Sequence, residues 1–355
     1  MEENQIQKRL SAAEDAPLVS LSPPSNSNFR FFAVLLICCA MLTAVFAACA
    51  LLIKSGVVGK DGGFLSFFQG GTVEGESEDR PHESQPRDPL PKDETPLPDG
   101  GIPIISKDLS YAELGGGYLH NETPYSPNLS ELIKRDPFVA QTGDGPQVLI
   151  LHTHTGESYL EQGTVFLNGA PGDVTYSKEE SQNVISVGKA LADVLNEKGI
   201  TAIHCTVMHD APTLSGSYER SAKTVQRYLE QYPSISYVID LHRDAVMTSE
   251  GEYIRTCSSD PSVAQIMAVV GSDCNGTKHP LWEENLALAL QLREALNQKL
   301  PNVCRPVSLR NASYNQELAP RFLLLEIGSG ANSVKEAQNA ARLVGETLAD
   351  LIYAR

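Results

Sequence analysis

The chain has 355 residues and a formal net charge of −16, with no block of Lys and Arg to offset the acidity, which argues against a nucleic-acid partner. Its seven cysteines do not make a disulfide framework: Cys38, Cys39 and Cys49 lie in an apolar stretch, and Cys205, Cys257, Cys274 and Cys304 are far apart without a Cys-x-x-Cys spacing. Free or buried thiols are expected, and a cysteine-based structural zinc is not.

Residues 1–30 mix charges of both signs with Ser, Pro and Asn and carry no apolar period, as a disordered leader does. Residues 31–53 contain no charge, and about 23 residues at 1.5 Å each suffice to cross a hydrocarbon core. A transmembrane anchor is expected there, because the run is too long and too far from Met1 for a cleaved signal peptide. With one span and a large C-terminal part, the N-terminus is placed in the cytoplasm and the rest outside the cell membrane. Residues 54–144 turn rich in Gly, Pro, Ser, Glu and Asp and read as a flexible acidic stalk, with scattered apolar residues over 102–138 as an arm packing on the C-terminal domain. Residues 145–355 form that domain, the expected catalytic one.

From Gln147 onward, strands and helices alternate. Strands are expected at 147–151, 200–205, 237–241, 265–271 and 322–327. The spacing of Val184, Val187, Leu191, Val194 and Leu195 predicts a helix over 179–198, stopped at Gly199. Further helices are expected at 217–231, 282–300 and 333–353. The resulting fold class is α/β, a single mixed or mostly parallel sheet with helices on both faces.

Three of the apolar strands end in residues that bind metals or move protons, which is how an α/β enzyme presents chemistry at the carboxyl ends of its strands. Val148-Leu-Ile-Leu151 runs into His152-Thr-His-Thr-Gly-Glu157, Val238-Ile239 into Asp240-Leu-His-Arg-Asp244, and Phe322-Leu-Leu-Leu325 into Glu326. A hydrolytic zinc takes three protein ligands from His, Glu or Asp and leaves a position open, and His154, Glu157 and His242 fit that count. For any one histidine, a buried hydrogen-bonded or merely exposed side chain is the plainer account; three strand ends together favour metal. Glu326 is then placed as general base and acid, against the alternative of a carboxylate satisfied by the amides of Gly328-Ser-Gly330. Arg243 either holds a developing oxyanion or substrate carboxylate, or forms a salt bridge to Asp240 or Asp244. Ser158 and Ser329 do not lie in Gly-x-Ser-x-Gly, and no Gly-x-Gly-x-x-Gly or Walker sequence is present.

The run His152 to Tyr159, Asp240-Leu-His-Arg-Asp244, Tyr314-Asn-Gln316 and Leu325-Glu-Ile-Gly328, in this order behind one N-terminal span, resembles the stage II sporulation protein P family of endospore-forming bacteria. The resemblance implies a zinc-dependent peptidoglycan hydrolase related to N-acetylmuramoyl-L-alanine amidases, with a second endopeptidase activity on cross-links, acting in engulfment alongside sporulation proteins D and M. It also implies alternatives. Related amidases place their glutamate ligand at the start of the next helix, which is Glu179 or Glu180 here, and His152 can exchange roles with His154. A zinc carboxypeptidase or amidohydrolase on soluble peptides and a metal-free envelope scaffold are the competing functions.

Overall fold

The computed structural model describes residues 100–110, 117–140 and 145–354. The expected leader, the span at 31–53 and the stalk up to residue 99 lie outside the described residues, among which no helix is long and apolar enough to cross a membrane.

Residues Pro91–Arg355 form one compact unit. It opens with β1 (Ile102–Lys107), β2 (Leu119–Asn121) and a single turn of helix, α1 (Leu129–Leu132), followed by β3 (Val148–Leu151), β4 (Phe166–Leu167) and a second single turn, α2 (Pro171–Val174). Then come α3 (Val184–Glu197), β5 (Ala202–His204), α4 (Ser217–Gln231), β6 (Tyr237–Asp244), β7 (Tyr253–Thr256) and β8 (Ile266–Val270). The chain closes with α5 (Trp282–Lys299), β9 (Val307–Leu309), β10 (Phe322–Ser329) and α6 (Val334–Tyr353).

The main sheet has seven strands in the order β2-β9-β8-β10-β6-β3-β5. Strands β5, β3, β6 and β10 are mutually parallel, whereas β8 runs antiparallel to β10 and carries β9 and β2 parallel to itself. This is the expected mixed sheet, but it is not the only one. Strand β1 lies between β4 and β7 in a separate three-stranded sheet. Its strands are short, and Pro103 interrupts the donors of β1, so apolar periodicity gave no sign of them.

Period-two alternation divides the buried side chains between two faces. Val148, Ile150, Ile239, Leu241, Leu323 and Leu325 join the larger core under α3, α5 and α6, while Leu149, Leu151, Val238 and Phe322 pack with Val225 of α4 on the other side. Helices thus cover both faces. Each such aliphatic side chain contributes about 1.5–3 kcal/mol on full burial, so the strands hold their places without help from the site. The arm is built into the unit: β2 pairs with β9, Leu132 and Phe138 enter the larger core, and Tyr237 Oη accepts from Val139 N at 2.8 Å. Helix α3 starts later than its periodicity predicts, at Val184, because Asn183 caps it by accepting from Ile185 N, and Gln182 and Val184 bond back to Tyr159 and Glu157. Cys205, Cys257, Cys274 and Cys304 are free thiols.

Candidate active site

Parallel pairing of β6 with β10 sets Leu324 beside Asp240 and Glu326 beside His242. Alternation puts all four on the α4 side of the sheet, and adjacent strands lie only about 4.8 Å apart. After β3 the chain turns tightly, with Glu157 N donating to His154 O at 3.2 Å and Gly156 N to Asp210 Oδ2 at 2.7 Å. A Cβ at Gly156 would sit 2.2 Å from the ring of the exposed Tyr176, so a side chain here would have to push that ring aside. The turn delivers Glu157 to the end of β6, where its Oε2 accepts from Arg243 N at 3.1 Å and lies 3.3 Å from His242 Nδ1.

His242 is buried between two carboxylates, Glu157 at Nδ1 and Asp240, whose Oδ1 is 3.0 Å from Nε2. That second approach has ion-pair distance without hydrogen-bond alignment. Burial opposes a charge on the ring, but the two carboxylates outweigh it and hold its imidazolium form well above the usual histidine range. Asp240 is fixed in turn by Thr153, which donates from N at 2.8 Å and from Oγ1 at 2.6 Å.

Glu326 has the opposite electrostatics. Burial first, then the nearby Asp244 and Glu157 carboxylates, push its carboxyl up to about 8, against the pull of His242 and Arg243. Its Oε2 is buried without a partner. The amides expected as the alternative partners are engaged elsewhere: Gly328 N bonds Gln265 O, Ser329 N bonds Asn332 Oδ1 and Gly330 N bonds Asp244 O. Gly328, at φ +71°, makes the irregularity in β10 that directs those amides away.

His152 and His154 part company. His152 is fully buried on the α3 side, with Nδ1 2.8 Å from Leu241 O and Nε2 2.9 Å from His204 Nε2, and burial and His204 lower it to about 3. His154 lies edge-on to both His242 (centroids 5.3 Å apart) and Tyr218 (5.4 Å), and its Nδ1 is buried without a partner. Burial and His242 keep it neutral, below the usual histidine range. Glu179 and Glu180 are exposed on the loop before α3.

Arg243 needs a correction. Its guanidinium is neither a free anion clamp nor a salt bridge to Asp240 or Asp244; it donates to the carbonyls of Ser158 (3.2 Å), Asp244 (3.4 Å) and Thr175 (2.8 Å) and to Thr175 Oγ1 (3.0 Å). Buried and held by these four bonds, the guanidinium ties the Glu157 turn to the Thr175 loop. Asp244 pairs with Arg305 instead, at 2.5 Å.

Among the described residues, no three His, Cys, Asp or Glu side chains stand grouped for an ion as they are. The donor types nonetheless suit zinc: His242 has Glu157 at one ring nitrogen and the His154 ring beside it, His154 keeps a bare nitrogen, and Asp240 lies behind His242 as outer carboxylates lie behind metal-bound histidines.

Residues 75–349 match the stage II sporulation protein P family. The chain belongs to that family. A Stage II sporulation protein P from Bacillus subtilis (strain 168) is 29% identical over 235 residues, 63% of this chain and 55% of that protein, so the alignment spans about half of the relative. Similar solved structures include N-acetylmuramoyl-L-alanine amidase AmiC2 of Nostoc punctiforme, 16% identical over 60% of this chain and 98% of that one, with a TM-score of 0.34. An N-acetylmuramoyl-L-alanine amidase from Clostridium difficile 630 is 13% identical over 59% and 97% respectively, with a TM-score of 0.37. The matched family stretch contains every strand end described above.

Sequence reasoning missed Asp240 as a support for His242, and Tyr218 beside His154. Asp240 was findable, because residues i and i+2 of one strand share a face. Tyr218 was not: nothing in α4 distinguishes a tyrosine at its start from an ordinary surface residue.

Proposed function

We propose that this chain is a zinc-dependent peptidoglycan hydrolase that cleaves the amide between the lactyl group of muramic acid and L-alanine, with endopeptidase activity on cross-links, during septal thinning and engulfment in endospore formation. The observation that carries the reading is the half-buried Glu326, whose Oε2 is shut in without a partner beside His242 and whose carboxyl is pushed up to about 8. Such a group is protonated or bare according to small changes around it, as general acid–base catalysis near neutrality needs.

His154, Glu157 and His242 would hold the zinc. When bound, zinc supplies Lewis acidity towards a water and the scissile carbonyl. Asp240 and Thr153 keep the His242 ring in one orientation. Arg243 holds the Glu157 turn through its carbonyl contacts. Glu326 takes a proton from the attacking water and delivers it to the leaving alanine nitrogen, which departs as an amine. The catalytic domain works outside the cell membrane, tethered by the span at 31–53, with sporulation proteins D and M as partners.

The test is digestion of purified cell wall. Release of peptides with a free N-terminal alanine is expected; release only of C-terminal residues from soluble peptides would assign the carboxypeptidase alternative, and stoichiometric absence of zinc with no digestion would assign the scaffold. Protease added to wall-stripped cells should degrade the region after residue 53, and its full protection would overturn the topology.

A further inference from the structure

Two tyrosines stand over the site and play no part in the chemistry above. Tyr218, at the start of α4, lies edge-on to His154, and the Tyr314 ring is 5.9 Å from it at 53°. Both are half-buried, and neither hydroxyl has a hydrogen-bond partner among the described residues or is shut away from solvent. Tyr314 rests on Met267, Val269 and Leu324, the apolar patch that precedes Glu326 on the same face of the sheet. Its backbone is unusual. Tyr314 and Asn315 both adopt left-handed conformations, φ 53° and 61°, a region that a bulky residue enters only when its surroundings impose it.

Those surroundings are specific. Asn315 Nδ2 donates to Tyr218 O at 2.8 Å and to Ser221 Oγ at 3.0 Å, tying the two tyrosines' backbones together. Fully buried Gln316 holds the other side of the turn, accepting from Gly271 N at 2.7 Å and donating to Val269 O at 2.9 Å. Packing alone does not require a strained turn to bring a second phenol to a half-open edge. Strain of this kind gathers where a ligand is clamped.

The charge around the pair narrows the ligand. The carboxylates of Asp240, Glu326 and Glu157 act on the Tyr218 hydroxyl, while Tyr314 feels the cations Arg310 and His242 as well as the carboxylates Glu122 and Glu326. Of the cations nearby, Arg305 is paired with Asp244, Arg310 with Glu122, His242 sits between Glu157 and Asp240, and the donors of Arg243 go to carbonyls, so none of these four is free to clamp an anionic group directly. An uncharged ring with an apolar face and hydroxyl edges suits two phenols whose faces are apolar and whose tips are polar. We propose that Tyr218 and Tyr314 form an aromatic subsite that holds a neutral N-acetylhexosamine ring beside His154, His242 and Glu326. The proposal rests on the reading of the substrate as an amide carried on a glycan.

The experiment is calorimetric titration of the full-length chain with a soluble, peptide-free tetramer of N-acetylglucosamine. Saturable binding is expected in the parent. Tyr314→Phe, which keeps the ring, should stay within about threefold, whereas Tyr314→Ala and Tyr218→Leu should each weaken binding by about tenfold with zinc content unchanged. Tyr218→Leu makes the test independent of the strained turn that Tyr314→Ala disturbs. No binding by the parent, or equal binding by both ring-deleted variants, overturns the subsite. Ring-dependent sugar binding in a protein that releases no alanine-terminated peptide would leave the subsite standing and remove the amidase; amide cleavage without ring-dependent sugar binding does the reverse.

Discussion

Two histidines stand two residues apart at the end of β3 and meet opposite fates. His152 turns towards α3, where Gly188 leaves room that any Cβ would fill, and both its nitrogens are taken, by Leu241 O and His204. His154 turns towards His242 and Tyr218 and keeps a buried nitrogen with no partner. Buried polar groups are nearly always satisfied, so a bare one marks a place where folding was not the only demand. The residue type is the same in both pockets; what differs is whether the fold has already supplied its partners.

The most direct way to break this contrast is to delete each histidine in turn. His154→Ala in the Pro91–Arg355 unit should abolish stoichiometric zinc and reduce wall digestion to background, while the melting temperature of the metal-free protein moves by less than about 5 °C. Zinc retained by that variant would sink the ligand assignment. Glu326→Gln removes the transferable proton without removing a ligand, so digestion should fall by about 10²–10⁴-fold with parental zinc content. If zinc is lost instead, Glu326 is itself a ligand. Asp240→Asn weakens the acceptor behind His242 and should lower zinc affinity by about 10–100-fold, measured by competition with a chelator. Unchanged affinity would make Asp240 a packing residue.

His152→Asn is the complementary case. It should cost about 1–3 kcal/mol of unfolding free energy, because Leu241 O and His204 lose their partner, and leave zinc content alone. The same pocket sets a pH dependence. His152 is lowered to about 3 in the folded chain by burial and then His204, so below about pH 6.5 the unfolded chain takes a proton that the folded one refuses. The stabilisation is therefore complete above that pH and is lost as pH falls towards 3. Metal-free parent should lose more melting temperature than His152→Asn between pH 7.5 and 5, and parallel losses in the two proteins would show that the folded chain takes up the His152 proton as readily as the unfolded one.

Much of the frame was legible because long apolar runs leave little choice. Helix α4 has the predicted bounds, and β6 and β10 begin where expected, since each combines a periodic or continuous apolar stretch with a clear break. The small sheet was hidden, because β4 has two residues and β1 has Pro103 in an otherwise stalk-like composition. At the site, His154, Glu157, His242 and Glu326 could be suspected from strand ends, but their meeting depended on strand order, which spacing does not encode. Arg243 shows the limit most plainly: a charged residue beside a motif invites a catalytic role, and only its contacts reveal that three carbonyls have claimed it.

Strand β10 sits between β8 and β6, the sole link in the main sheet between the β2-β9-β8 half and the β6-β3-β5 half. It is also the last strand among the described residues. A polypeptide emerging from its amino end can pair β3, β5 and β6 early, since they lie close together in sequence, whereas the other half waits for β9 at Val307–Leu309, and the halves remain unjoined until Phe322–Ser329 is available. Glu326 arrives on that same strand. Assembly of the sheet and arrival of the proton-moving carboxylate are thus one event, and a chain cut short before β10 carries His154 and His242 but neither a finished scaffold nor the group proposed to turn over wall. For a protein proposed to cut the cell's own envelope, the order of synthesis is itself a safety catch.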